Sequence, residues 1–116
     1  METLKKNYEF SRVYKRGKYF RDKNLTLNVF ATNNQYTRYG ISISKKIFKS
    51  SVKRNLYRRR IKEVLRIHFD DIKVGYDIVF VVKGNEYIPE FCEIEKGIIN
   101  LLNKANLIVY NEENIN

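Results

Sequence analysis

The sequence predicts an α+β fold in the order α-β-β-β-α-β-α, a two-layer sandwich with one mixed sheet. Three observations carry this reading. Residues 24–31 and 38–46 alternate apolar and polar side chains with the period of half-buried strands. Residues 76–82, YDIVFVV, form a nearly continuous apolar run rich in β-branched residues, the pattern of a fully buried central strand. Residues 51–69, and a segment opened by Pro89, repeat apolar residues at helical spacing.

The first element is a short helix over 7–16, with Asn7 as its cap and Gly17 at its end. Phe10 and Tyr14 stand four residues apart and share a face with Val13 beside them, while Arg12, Lys15 and Arg16 decorate the flanks. Two readings of the rings are open. They are core residues, or, with basic neighbours, a stacking surface for unpaired bases. A short strand near Tyr19–Arg21 leads to the segment NLTLNVFA. There Leu25, Leu27, Val29 and Ala31 face one side and Thr26, Asn28 and Phe30 the other. TNNQ at 32–35 is turn chemistry. In RYGISISKK, Ile41 and Ile43 point inward and Ser42 and Ser44 outward. These two strands are expected to pair as an antiparallel hairpin.

The helix over 51–69 places Tyr57, Ile61, Val64, Leu65 and His68 on one core-facing side. Arg54, Arg58, Lys62 and Arg66 form a ladder of like charges beside it, flanked by Asn55 and Arg59. Such a ladder repels itself, and Glu63 is its one relief within the helix. A solvated face normally alternates in sign, so a polyanion seated against the ladder is the better account. The last helix starts with Pro89 in its first turn and buries Phe91, Ile94, Ile98, Leu101, Leu102 and Ala105. Glu90, Glu93 and Glu95 occupy its other face, away from the ligand, and residues 111–116 are expected to fray.

Charge separates the chain into two parts. Residues 1–69 hold 19 basic and 4 acidic side chains, net +15, and residues 70–116 hold 4 and 9, net −5. Half of the run from Lys45 to Lys62 is Lys or Arg, and no carboxylate occurs between Asp22 and Glu63. That field attracts a nucleic acid, so binding is assigned to the first two-thirds and scaffolding to the rest. At 116 residues, 43% of them hydrophobic, the chain forms a single domain, 1–116. Its one cysteine, Cys92, allows no internal disulfide, suits a reducing cytoplasm and reads as a small core or boundary residue. The N-terminus lacks the apolar core of a signal peptide, and no stretch approaches the roughly 20 apolar residues that span a bilayer, so no membrane partner is expected.

The chemistry of an autonomous nuclease is missing from the pattern. There is no Cys/His cluster with zinc spacing, no Gly-rich phosphate loop, and no acidic cluster beside the basic run to hold Mg²⁺. No catalytic and no metal-ligating residue is therefore assigned. His68 falls on an apolar helix face and reads as packing. The chain looks like a binder whose partner supplies the chemistry.

The segments GISISKKI at 40–47 and VKRNLYRRRIKEVLR at 52–66 resemble the bacterial ribonuclease P protein component. That family carries a strand ending in S-x-S-K-K and then a helix with an R-N-R-like signature. LKKNYEFSRVYKRGK at 4–18 resembles the family's opening, and the likeness spans about residues 4–83. Leu56 stands where the family has the second arginine of its R-N-R core, which removes a bidentate phosphate contact at that position. The resemblance implies a protein subunit of a ribonucleoprotein endoribonuclease, a hydrolase that matures the 5′ end of tRNA. Its catalytic subunit is an RNA, and the Mg²⁺ belongs to the RNA-containing holoenzyme, with no cofactor bound by the protein alone. The implied partners are the catalytic RNA and precursor tRNA.

Carried over residue by residue, the RNA-binding set is Ser44, Lys45 and Lys46 at the strand end, with Lys53, Arg54, Asn55, Arg58, Arg59 and Lys62 on the helix. Phe10 and Tyr14 match the aromatics of a cleft for the single-stranded 5′ leader, which favours partial exposure over full burial for both. Lys23, Asn28 and Ser42 fall nearby, Asn28 where family members often have an aromatic. The family also implies a left-handed β-α-β crossover through the basic helix, contrary to the general preference for right-handed ones. The competing readings are another basic RNA-binding protein, such as a ribosomal protein, and then a DNA-binding module, whose helix face has few residues suited to base-edge readout.

Overall fold

The computed structural model describes residues 1–84 and 87–109, so the expected fraying at 111–116 lies outside the described residues. The elements are β1 (Glu2–Thr3), α1 (Asn7–Arg16), β2 (Lys18–Asp22), β3 (Leu25–Ala31), β4 (Arg38–Ile43), α2 (Ser51–His68), β5 (Tyr76–Val82) and α3 (Phe91–Lys104). The mixed α+β order of the sequence reading is observed, with β1 as an addition. One five-stranded sheet runs in the order β1-β4-β5-β3-β2.

The expected hairpin between 24–31 and 38–46 does not form. β5 lies between β3 and β4, antiparallel to β3 and parallel to β4. The physical reason is that β5 is apolar on both faces. Ile78, Phe80 and Val82 join one core cluster and Val79 the other, and a strand of that kind is satisfied only in the middle of a sheet. Each amphipathic strand then has β5 as its neighbour. β4 and β5 are joined through α2.

α2 and α3 cover one sheet face. Tyr57, Ile61, Val64 and Leu65 from α2 meet Ile94, Ile98, Leu101 and Leu102 from α3 over Leu25, Leu27, Ile43 and Phe80. Phe48, ahead of α2, is fully buried and meets the Tyr57 ring edge-on at 5.7 Å. Burial pushes the Tyr57 hydroxyl up to about 12. α1 lies alone on the opposite face, where Val13 packs on Val79 with Leu4, and Phe10, Phe30 and Val81 pack around them.

Several local expectations are corrected. Lys6, not Asn7, caps α1, and the carboxylate of Glu9 accepts hydrogen bonds from the backbone N–H groups of Lys5 (3.0 Å) and Lys6 (2.8 Å). Pro89 lies ahead of α3, whose cap is Glu90. Cys92 is exposed, because the buried stripe of α3 runs through Ile94 and Ile98 and turns position 92 outward. His68 is half-buried and bonds Glu95 of α3 at 2.9 Å, so it ties the two helices through a polar contact. Gly17 does end α1, at a place where a Cβ would come within 2.5 Å of the Val13 and Val29 carbonyl oxygens.

Candidate nucleic-acid interface

α1 is fixed to the sheet by charge. Asp77, at the start of β5 and only 1% exposed, accepts from Arg12 of α1 (3.2 Å) and from both Nε (to Oδ1, 3.0 Å) and Nη2 (to Oδ2, 2.8 Å) of Arg38 in β4. Arg38 also pairs with Glu9 of α1. The Arg12 guanidinium lies 5.2 Å from the centre of the Phe30 ring. Two backbone N–H donors, then Arg38, hold the Glu9 carboxyl below the usual glutamate value, and the Asp77 carboxylate raises Arg38 further above its ordinary range. Arg12, expected on the flank, is thus part of the scaffold that orients Phe10 and Tyr14.

α1 leaves part of its sheet face open. Gly40, Val79, Asn28 and Tyr19 are paired in one row across β4, β5, β3 and β2, and Ser42, Val81, Thr26 and Arg21 form the next row. At the β4 end the Phe10 ring lies over Gly40, where a Cβ would come within 2.5 Å of it. There Phe10 shares a hollow with Tyr39, Ile41, Arg58 and Lys62. At the β2 end Tyr14 and Tyr19, 45% and 67% exposed, line a hollow with Arg21, Asn28 and Lys83. Phe10 is half-buried, which agrees with the expected partial exposure of both rings. Tyr19, Arg21 and Lys83 are additions to the set. The alternation of residues 18–22 puts Tyr19 and Arg21 on the face of Asn28, and that signal was available in the sequence. Lys23 occupies the β2–β3 turn at φ 51° and lines a hollow with α3 residues instead.

The basic set divides by partner. The Arg54 guanidinium donates to the carbonyl oxygens of Phe48 and Lys49, which ties down the loop before α2. Arg60 donates to the Pro89 carbonyl at 2.7 Å. Arg66 pairs with Glu63 through two hydrogen bonds, 2.6 and 3.0 Å, so that rung of the ladder is relieved within the helix. Lys45, Lys46, Lys53, Asn55, Arg59 and Lys62 are exposed, Arg58 and Leu56 are half-buried, and none of these cations makes an ion pair among the described residues. The Ser44 hydroxyl accepts from the Lys46 backbone N–H and shapes the turn that carries the two lysines. Ser50 caps α2 by accepting from the Lys53 N–H, and the first turn of α2 contains no acid. A helix N-terminus with basic neighbours favours an anion.

Among the described residues no group of three or more His, Cys, Asp or Glu side chains could hold a metal ion, and no helix is long and apolar enough to cross a membrane.

Residues 1–106 match the family described as Ribonuclease P. A ribonuclease P protein component of Clostridioides difficile is 41% identical over 107 residues, covering 91% of this chain and 93% of that protein. One from Clostridium botulinum (strain 657 / Type Ba4) is 43% identical over 105 residues, covering 90% and 94%. The solved RNase P protein of Staphylococcus aureus superposes with a TM-score of 0.83 at 26% identity, covering 93% of this chain and 98% of that one. The RNase P protein of Thermotoga maritima shares the fold, with a TM-score of 0.80 at 24% identity and coverage of 90% and 97%.

Proposed function

The chain belongs to the ribonuclease P protein component family, and from that premise we propose how it acts. It binds the catalytic RNA of ribonuclease P through the unpaired cations of α2 and the turn before it. It holds the single-stranded 5′ leader of precursor tRNA on the open sheet face beside α1. The RNA, with its bound Mg²⁺, performs the hydrolysis in the cytoplasm. The protein contributes position and charge and does not cleave alone, in keeping with a basic region free of carboxylates from Lys23 to Lys62.

One observation carries this reading. A row of paired residues runs from Gly40, under Phe10 and next to Arg58 and Lys62, to Tyr19 beside Tyr14. The basic helix and the aromatic face are therefore two ends of one surface. A strand leaving a phosphate-rich contact on α2 meets rings and amide groups at the sheet, the combination that binds unpaired nucleotides. The test is to mix the protein with ribonuclease P RNA and precursor tRNA at low Mg²⁺. The expected result is 5′ maturation that needs the protein at low Mg²⁺, with no cleavage by the RNA-free protein. Cleavage by the protein alone, or no effect of adding it, contradicts the proposal.

A further inference from the structure

We infer that the groove beside the C-terminal half of α2 is a pocket for one unpaired nucleobase of the catalytic RNA, with its phosphate on the rim. The inference rests on the proposed RNA-binding role. Its apolar wall is Tyr39, Leu65, Met1 and Phe69, and its polar edge is Arg59, Lys62, Arg66 and Glu63. Phe69 follows directly on α2, is 43% exposed and lines this groove with its aromatic ring.

Charge selects the occupant. Glu63 is engaged by Arg66, which leaves Arg59 and Lys62 as cations without an ion pair among the described residues. An apolar peptide would leave these charges uncompensated. A nucleotide offers a flat π-face for Phe69 and an anion for the rim, so it matches both halves of the site. Lys62 also lines the hollow that holds Phe10, so the pocket continues the surface assigned to RNA. The Arg66–Glu63 pair is a positioning contact that holds the Arg66 guanidinium at the edge.

The experiment uses the assembled holoenzyme with Phe69→Ala, Phe69→Leu and Phe69→Trp. Affinity for the catalytic RNA is measured across a salt series, together with base-specific chemical probing of that RNA. Stacking predicts a loss of roughly five- to a hundred-fold for the Ala and Leu variants, with an unchanged salt slope, because no phosphate contact is removed. The Trp variant keeps its affinity, and one unpaired nucleotide protected in the wild-type complex becomes reactive in the Ala and Leu complexes. Arg58→Ala/Arg59→Ala is the control. If that variant weakens assembly and the Phe69 variants do not, the pocket is wrong and the RNA-binding role stands. If neither weakens assembly, the RNA-binding role itself is wrong. Normal binding by Phe69→Leu with loss in Phe69→Ala also overturns the proposal, since it would show an apolar contact without stacking.

Discussion

The two faces of the sheet are held by different chemistry. On one, α2 and α3 cover Leu27, Ile78 and Phe80 with a continuous apolar layer. On the other, α1 touches a small apolar cluster and is fixed by the Glu9–Arg38–Asp77–Arg12 chain of charges. The first arrangement is an apolar core, with the His68–Glu95 contact at its edge. The second sets the angle of one helix over an open surface, and it is that surface which carries Tyr14, Tyr19 and Asn28. The contrast teaches that the basic residues of this chain are not one population: Arg12, Arg38, Arg54 and Arg60 build the scaffold, whereas Lys45, Lys46, Lys53, Arg58, Arg59 and Lys62 make no ion pair among the described residues and are the cations proposed to meet RNA.

The largest expected effect falls on the apolar face. Phe80→Ala should cost about 3–5 kcal/mol in denaturant unfolding, as for a fully buried ring. A cost near zero would mean that the α2/α3 layer is not the main core. Asp77→Ala comes next, at about 3 kcal/mol, because it leaves Arg38 and Arg12 without their shared anion. Measured by the same unfolding curves, a negligible loss would show that α1 is held by apolar contacts alone.

Acid should loosen α1 before it affects the apolar layer. The Glu9 carboxyl is held below its ordinary value in the fold by the Lys6 and Lys5 backbone donors first. Its contribution is complete above the unfolded value and is lost as pH falls through the lower folded value. Glu9→Gln should therefore flatten the acid limb of the stability-against-pH curve, and an unchanged limb would place the acid response elsewhere. The smallest effect on stability is expected at the ligand face. Arg58→Ala and Arg59→Ala should each change unfolding by no more than about 0.5 kcal/mol while weakening RNA binding. With about six phosphate contacts, the log–log salt slope of that binding should lie near −4 to −5, and a slope near −1 would mean a merely solvated ladder.

Much of this contrast is legible in the sequence. Period-two alternation marks β3 and β4, and the stripes of α2 and α3 coincide with their buried residues. The insertion of β5 between β3 and β4 is not legible in the pattern, because adjacency along the chain favours a hairpin, although the two-sided apolarity of YDIVFVV argues for a central place. β1, only two residues long, is too short to show a period. At the interface, the sequence marks the ladder but not which rungs are engaged. Arg54 meets carbonyl oxygens and Arg12 meets an aspartate 65 residues away, and neither contact leaves a local signature.

The central claim is that one surface joins the basic helix to an aromatic sheet face that holds the leader. The most direct measurement compares holoenzyme affinity for precursor and mature tRNA, using wild type, Phe10→Ala/Tyr14→Ala and the more exposed pair Tyr14→Ala/Tyr19→Ala. Each lost stack should weaken precursor binding by about 1–3 kcal/mol, with mature tRNA, which lacks the leader, unaffected. The exposed pair keeps the test valid if removing Phe10 disturbs the packing over Gly40. Equal losses for both substrates, or normal precursor binding by a folded Tyr14→Ala/Tyr19→Ala variant, would contradict the account.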